Sequence, residues 1–290
     1  MKTFFRGFQG YRAYRKLPKS QKNVVFYSES FQDWHHLKPL LNGLLEQQIA
    51  VTYVTSDERD PGLIKQSSNY RSIFIGSGFF RILFFQYLEA KLFVLTMLDL
   101  NNFELKRSIH PVHYVYLFHT LGSTHMVDHD NSYDHYDTIL CAGPHQKKEI
   151  GLREGNKGLD KKNLVAYGYP RLEKLIQLNA EPNNDKKVIL LAPTWGENSI
   201  INLVGMEICT IIIEQGYSLI LRPHHETLKR SPELINEIEQ KFLHHDSFKL
   251  VKEMGDSESL LQSDLLICDW SGTAIEYALG LEKPIIFIDI

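Results

Sequence analysis

Residues Ser263–Glu276 read SDLLICDWSGTAIE. Leu265–Cys268 is a short, uniformly apolar run of the kind that forms a strand buried on both faces. Asp269-Trp270-Ser271-Gly272-Thr273 then makes a turn of small and polar residues, and a segment of helical period runs on to about Leu279. In an open α/β sheet, ligands collect at the carboxyl ends of strands. A helix N-terminus placed there presents unbonded N–H groups and the positive end of the helix dipole to an anion. The small residues Ser271, Gly272 and Thr273 would let a phosphate approach the backbone and add two hydroxyl donors. Ser271 or Thr273 could also simply cap the helix, and the two roles are compatible.

The same strand–turn–helix unit recurs along the chain. Strands are predicted at Val24–Tyr27, Val51–Thr55, Ser72–Ile75, Leu92–Thr96, Tyr114–Phe118, Thr138–Cys141 and Leu164–Tyr167. A second set follows at Val188–Leu191, Ser218–Leu221, Lys249–Val251, Leu265–Cys268 and Ile285–Ile288. Helical stretches lie between them, for example Phe31–Gln47, Pro144–Arg153, Ile200–Gln215 and Pro232–Phe242. This alternation predicts an α/β protein with doubly wound parallel sheets. Ala180–Lys187, AEPNNDKK, combines proline, tandem asparagine and charge without apolar residues, as a linker does. The expected organisation is a basic aromatic segment at 1–22, a first Rossmann-like domain at 23–180, a linker at 181–187 and a second Rossmann-like domain at 188–290, the two domains facing each other across a cleft. The terminal PIIFIDI, Pro284–Ile290, has a buried-strand pattern with no helix after it, which predicts a second domain incomplete at its C-terminus.

Composition limits the alternatives. The chain has 290 residues, 43% hydrophobic and 23% charged, with a net charge of −3. These values exclude a disordered chain or a collagen-like repeat, and give no general reason to expect a nucleic-acid partner. Cys141, Cys209 and Cys268 lie far apart without a CxxC, so neither a disulfide framework nor a zinc knuckle is expected and a reducing, cytosolic compartment fits. The N-terminus departs from the average. Between Met1 and Ser28 stand Lys2, Arg6, Arg12, Arg15, Lys16, Lys19 and Lys22 with no acid, interleaved with Phe4, Phe5, Phe8, Tyr11 and Tyr14. Such a segment can lie on an anionic membrane surface, or form a solvated tail leading into the first strand. Phe79–Leu98 is long enough to span a bilayer but contains Arg81, Glu89 and Lys91, so a core helix followed by a strand is expected instead.

Further candidate residues stand at other strand ends. Arg222-Pro223-His224-His225 follows Ser218–Leu221: an arginine grips phosphate bidentately, and a neighbouring imidazole supplies a donor. Ala192-Pro193-Thr194-Trp195-Gly196 follows Val188–Leu191, and Trp195 could stack on a base, wall the cleft or sit in a core. His119 ends the Tyr114–Phe118 strand and is placed to act as a general base towards a hydroxyl. His119, His125 and His129 have a spacing that fits no compact metal-ligand set, so no metal is expected. Gly76-Ser77-Gly78 could hold an anion but lacks the third glycine of a dinucleotide fingerprint. No Walker lysine motif, GxSxG elbow or HExxH is present.

Taken in order, several blocks resemble the CDP-glycerol glycerophosphotransferase family, the teichoic-acid polymerase-like enzymes. They are the His119 strand end, Gly168-Tyr169-Pro170-Arg171, Leu191-Ala192-Pro193-Thr194-Trp195, Leu221-Arg222-Pro223-His224, and Ser263 through Glu276 with Lys283-Pro284-Ile285-Ile286-Phe287. The resemblance covers roughly Val112 to the end. It implies a GT-B architecture, peripheral association with the inner face of the cytoplasmic membrane and a CDP-alcohol donor, with no cofactor. It further implies that His119 is the acceptor-side catalytic histidine and His224 the donor-side one. The donor and its phosphates would then be held by Arg222, Thr194, Trp195, Asp269, Ser271, Gly272, Thr273 and Glu276. The family's usual His-Gly-Thr-Pro is here His119-Thr120-Leu121-Gly122, its Asp-Tyr-Ser-Ser is Asp269-Trp270-Ser271-Gly272, and His225 replaces the last proline of Arg-Pro-His-Pro.

The expected function is transfer of glycerophosphate, or a related alditol phosphate, from a CDP-linked donor to a hydroxyl of a membrane-associated glycan or lipid-linked acceptor. The alternatives are a UDP-sugar-dependent GT-B glycosyltransferase or epimerase, and an inactive membrane-tethered relative in polysaccharide assembly.

Overall fold

All twelve predicted runs are β-strands in the computed structural model, which describes residues 2–98, 100–101, 105–127, 129, 131–179, 187–252 and 257–289. β1 (Val24–Ser28), β2 (Val51–Thr55), β3 (Tyr70–Phe74), β4 (Leu92–Leu95), β5 (His113–Leu117), β6 (Thr138–Cys141) and β7 (Asn163–Ala166) form one sheet. β8 (Val188–Leu191), β9 (Ser218–Leu221), β10 (Phe248–Leu250), β11 (Leu265–Cys268) and β12 (Ile285–Phe287) form the other. The pairings are parallel throughout. Strands without polar alternation have no face suited to water, and all five residues of β1 and of β2 are buried.

Parallel neighbours need crossover connections, and helices supply most of them. In chain order the helices are α1 (Lys2–Arg15), which precedes β1, α2 (Trp34–Glu46), α3 (Phe79–Gln86), α4 (Thr124–Val127), α5 (Pro144–Lys157), α6 (Pro170–Leu178), which leads from the first sheet to the second, α7 (Ile200–Glu214), α8 (His225–Arg230), α9 (Pro232–Phe242), α10 (Glu258–Gln262) and α11 (Gly272–Leu281). Their limits follow local chemistry. Pro144 and Pro232 occupy first-turn positions where their missing N–H costs nothing, and α5 ends on Gly158 at φ +63°. The predicted core helix and strand in Phe79–Leu98 are α3 and β4, and among the described residues no helix is long and apolar enough to cross a membrane.

Both sheets reverse their winding direction at an interior point. The first has the order β3-β2-β1-β4-β5-β6-β7 and the second β10-β9-β8-β11-β12. The connections therefore diverge between β1 and β4, and again between β8 and β11. At each reversal the carboxyl ends of adjacent strands open into a crevice, the usual ligand position of such sheets. In the first sheet the segments after β1 and β4 are joined by Asp33, whose Oδ1 accepts the Thr96 hydroxyl at 3.0 Å. The buried Asp60, in the loop after β2, ties that loop to β1 and β2. Its Oδ2 accepts the hydroxyls of Ser28, Tyr53 and Thr55 at 2.6, 2.9 and 2.8 Å.

Contacts divide the chain into two compact units, Met1–Pro170 and Arg171–Ile290. This division falls earlier than the predicted first-domain end at 180. Helix α6 packs Leu175 among Leu190, Leu266, Tyr277 and Leu281 in the core of the second unit. Against this helix Gly280 of α11 leaves room, because a Cβ there would stand 3.0 Å from Leu172. Of the predicted linker at 181–187, residues 181–186 lie outside the described residues, as does Ala180.

The N-terminal segment is also different from a solvated tail. It is helix α1, packed on β3 and α3, with Tyr14 buried and its hydroxyl donating to the Glu89 carbonyl at 2.7 Å. Two glycines permit the close approach: a Cβ at Gly7 would lie 2.7 Å from the Ile75 carbonyl oxygen, and one at Gly10 would overlap the Phe74 carbonyl. Glycine in mid-helix ordinarily costs about 1 kcal/mol relative to alanine. Overpacking against immobile backbone costs about 1–3 kcal/mol, so packing should outweigh propensity here. Gly10→Ala is expected to lower stability by about 1–2 kcal/mol in urea unfolding; an increase would show that α1 is not held this closely.

Candidate functional site

The sequence-derived residues fall into two groups, one in each unit. In the first unit His119 lies just past β5. The Tyr116 hydroxyl is 3.3 Å from its Nδ1, and the Tyr169 hydroxyl donates to its backbone carbonyl at 3.1 Å. Tyr116 is itself fixed by edge-to-face packing against Phe118, Tyr133 and Tyr136. For Nε2 of a neutral His119 to accept a proton, Nδ1 must carry the ring hydrogen and donate it to the Tyr116 oxygen, an arrangement the geometry allows. His36, from the first turn of α2, brings a second imidazole with its ring centroid 5.9 Å from that of His119 and 5.9 Å from that of Tyr169. The sequence reading did not single out His36 or Tyr116. Tyr116 stands three residues before His119 on β5 itself, whereas His36 is brought to His119 only by the folding of α2 onto the sheet. His125 and His129 are exposed, and among the described residues no three His, Cys, Asp or Glu groups converge as a metal site.

In the second unit the residues gather at the β8–β11 reversal. Arg222 is buried, and its two Nη atoms donate to the hydroxyls of Ser259 and Thr273, both at 3.1 Å. These hydroxyls orient the guanidinium. They also place Arg222 beside the first turn of α11. Gly272 opens that helix with nothing within 4 Å of where a Cβ would stand. Ser271 occupies the N-cap position but makes no side-chain capping bond, so capping is not its role here. A cation and a helix N-terminus are thus brought together on one side of the strand ends, an arrangement suited to phosphate.

Asp269 and Glu276 have structural partners. Asp269 accepts the Thr194 N–H at 2.6 Å and the Ile200 N–H at 3.1 Å, tying the loop after β8 and the start of α7 to the end of β11. A carboxylate so engaged holds these loops together and is not oriented to meet an anion itself. Glu276 receives Arg171 Nε at 2.9 and 2.8 Å on its two oxygens, joining α6 to α11. Thr194 contributes its backbone to this frame. Trp195 is 44% exposed and lies stacked with His224, ring centroids 6.2 Å apart at 27°, with the Arg230 guanidinium 5.1 Å from its ring centroid. It is a surface aromatic, not a core one. Ser259 and Arg230 escaped the sequence reading although they flank its motifs, Ser259 four residues before Ser263 and Arg230 five after His225, because only the fold brings their side chains to Arg222 and Trp195.

His224 shows which protonation state the fold selects. Its Nδ1 accepts the Glu226 N–H at 3.2 Å and caps α8. The neutral ring therefore carries its hydrogen on Nε2, where it is a donor. Burial, reinforced by the neighbouring His225, lowers its pKa from the ordinary 6.5 to about 4, against the opposing pull of Glu226. Burial also lowers His225. Because the unfolded chain takes up these protons first, the resulting stability is complete above about pH 6.5 and is lost as pH falls towards 4. Urea midpoints should fall over that window, and His224→Asn, which keeps a side-chain acceptor at the cap, should flatten part of the decline. An unchanged slope in the variant would contradict the assignment.

The family described as CDP-Glycerol:Poly(glycerophosphate) glycerophosphotransferase matches residues 11–289. A teichoic acid poly(glycerol phosphate) polymerase of Bacillus spizizenii is 34% identical over 147 residues, covering 44% of this chain and 35% of that protein. A teichoic acid glycerol-phosphate transferase of Staphylococcus aureus is 28% identical over 148 residues, covering 43% and 34%. The matched stretches thus span about a third of the length of these relatives. Among solved structures, the wall teichoic acid polymerase TagF soaked with CDPG aligns at TM-score 0.58 and 16% identity, over 99% of this chain and 75% of that one. A UDP-GlcNAc 2-epimerase from Methanocaldococcus jannaschii aligns at TM-score 0.57 and 16% identity, over 91% and 82%. These likenesses support the GT-B fold inferred from the sequence, and the match over nearly all of its length makes the chain a member of the CDP-glycerol:poly(glycerophosphate) glycerophosphotransferase family.

Proposed function

We propose that this chain transfers glycerophosphate, or a related alditol phosphate, from a CDP-linked donor to a hydroxyl of a membrane-associated glycan or lipid-linked acceptor. The observation that carries this reading is the pairing of Arg222 with Thr273 at the N-terminus of α11, in a member of this family. In the proposed reaction the acceptor oxygen forms a bond to the distal phosphorus of the donor. The bond between that phosphorus and the bridging oxygen breaks, and CMP departs. His119 takes the hydroxyl proton. Arg222, the Nε2–H of His224 and the first-turn N–H groups of α11 stabilise charge on the phosphates and on the leaving CMP. Trp195 offers an exposed ring beside His224 for the donor.

Two variants separate these roles. His119→Ala should abolish CMP release from CDP-glycerol while calorimetry shows nearly unchanged nucleotide affinity. Arg222→Ala should weaken CDP-glycerol binding by about 10- to 100-fold, the range of a lost charge-assisted hydrogen bond. Full turnover in His119→Ala would remove the base assignment. A preference for uridine over cytidine ligands would move the protein to the sugar-nucleotide class.

The membrane part of the proposal rests on α1. Phe4, Phe5, Phe8 and Phe79 are 57%, 57%, 44% and 58% exposed, and Phe4 and Phe8 pack on Phe80 with ring centroids 5.0 and 5.5 Å away. Arg12, Arg15, Lys16 and Lys19 are exposed on the same segment. Exposed aromatics with nearby cations suit the boundary of an anionic bilayer and support an association with the inner face of the cytoplasmic membrane. Co-sedimentation with vesicles rich in phosphatidylglycerol should be strong at low salt. It should fall several-fold when Phe4, Phe5 and Phe8 are replaced together by serine; equal binding would show that another surface makes the contact.

A further inference from the structure

The loop from Thr120 to Thr124, the first residue of α4, carries the chain away from His119 without regular secondary structure up to that point. Its shape is imposed from outside, by the first two turns of α5. Gln146 is completely buried there. Its Oε1 accepts the Ala142 N–H at 2.8 Å, and its Nε2 donates to the carbonyls of Thr120 and Gly122 at 3.0 and 3.2 Å. Two carbonyls on one side and one N–H on the other fix the amide in a single orientation. One turn later Glu149 Oε2 accepts both the N–H and the hydroxyl of Thr124, at 2.7 and 2.8 Å. His145 Nε2 donates to the Leu121 carbonyl at 3.0 Å. Three consecutive-turn side chains thus hold four residues of a loop that has few bonds of its own.

Resting on the reading of His119 as the base, we infer that Gln146 is the positioning residue of that base. It sets the peptide planes immediately after His119, while Tyr169 holds the His119 carbonyl and Tyr116 addresses its ring. A loosened Thr120 peptide lets the imidazole swing about its own backbone, and a displacement of about 1 Å is enough to cost about 100-fold in rate. Gln146 has no part in holding the donor, because it lies in the first unit and its hydrogen bonds are confined to the ends of β6 and the 120–122 loop.

The discriminating variant is Gln146→Glu, which keeps the acceptor for Ala142 and replaces the two-hydrogen donor by a carboxylate facing two carbonyls. CMP release from CDP-glycerol is measured with acceptor-bearing membranes from pH 5.5 to 9. The expected result is a 10- to 100-fold loss of kcat at pH 8 with KM for CDP-glycerol unchanged. Lowering the pH should recover part of the loss as the carboxyl regains a proton to donate, and the acidic limb of the kcat profile, which reports the base, should be displaced from its wild-type position. Gln146→Met is made in parallel, and Glu149→Gln serves as the milder variant, relaxing the same loop at Thr124, should neither Gln146 variant fold. A folded Gln146→Glu or Glu149→Gln with wild-type kcat, or a loss shared equally by kcat and CDP-glycerol affinity, would overturn the inference. Failure of the underlying reading looks different, because His119→Ala would then retain turnover whatever Gln146 does.

Discussion

A parallel sheet cannot be built from hairpins. Each strand must be followed by a crossover long enough to return the chain to the sheet's starting edge, and those crossovers share one hand. Winding outward in both directions from an interior strand therefore leaves one place in each sheet where neighbouring connections part. Here those places lie between β1 and β4 and between β8 and β11. The site architecture depends on this constraint. The loops after β8 and β11 meet because nothing crosses between them, and the Asp269 carboxylate can then join them through Thr194 and Ile200. Arg222, from the next strand over, completes the group by reaching Thr273.

The two units use polar side chains in the same way, to shape loops that have no ladder of their own. Asp60 gathers three hydroxyls behind the first two strands, Gln146 and Glu149 hold the loop after His119, and Asp269 holds the loop before α7. Each is a buried or partly buried acceptor or amide with several short partners, the condition under which burial of a polar group is tolerated. The groups expected to meet substrate stand beside these braces. His224 illustrates the economy of the arrangement: one nitrogen caps α8, which commits the other to donating.

Strand positions were legible because burial on both faces removes the need for alternation, and β-branched or leucine-rich runs of four or five residues have few other uses. The candidate residues at strand ends were legible for the same reason: a reader who finds the strand finds its carboxyl end. Helix α1 was harder. Its phenylalanines and arginines suggest a surface segment, and the features that dock it, Gly7 and Gly10, look like breaks in a helix until a neighbouring carbonyl is seen to need the space. Helix α6 shared this difficulty, since the proline–asparagine stretch after it drew the eye from Leu175, whose burial partners lie far along the chain.

The sequence by itself determined the class of fold, the strand ends at which chemistry is placed, and the family to which the chain belongs, because each is written in contiguous residues whose burial or turn geometry is local. Tertiary structure alone decided which polar groups at those strand ends are engaged by other parts of the protein and by which ones. Asp269 and Glu276 look like ligand residues in their motif but are engaged by backbone amides and by Arg171, while His36, Gln146 and Ser259 carry no motif and stand against His119, its loop and Arg222. The physical reason is that a hydrogen bond depends on two atoms within about 3 Å. When those atoms are separated by tens of residues, only the packing of the intervening strands and helices brings them together.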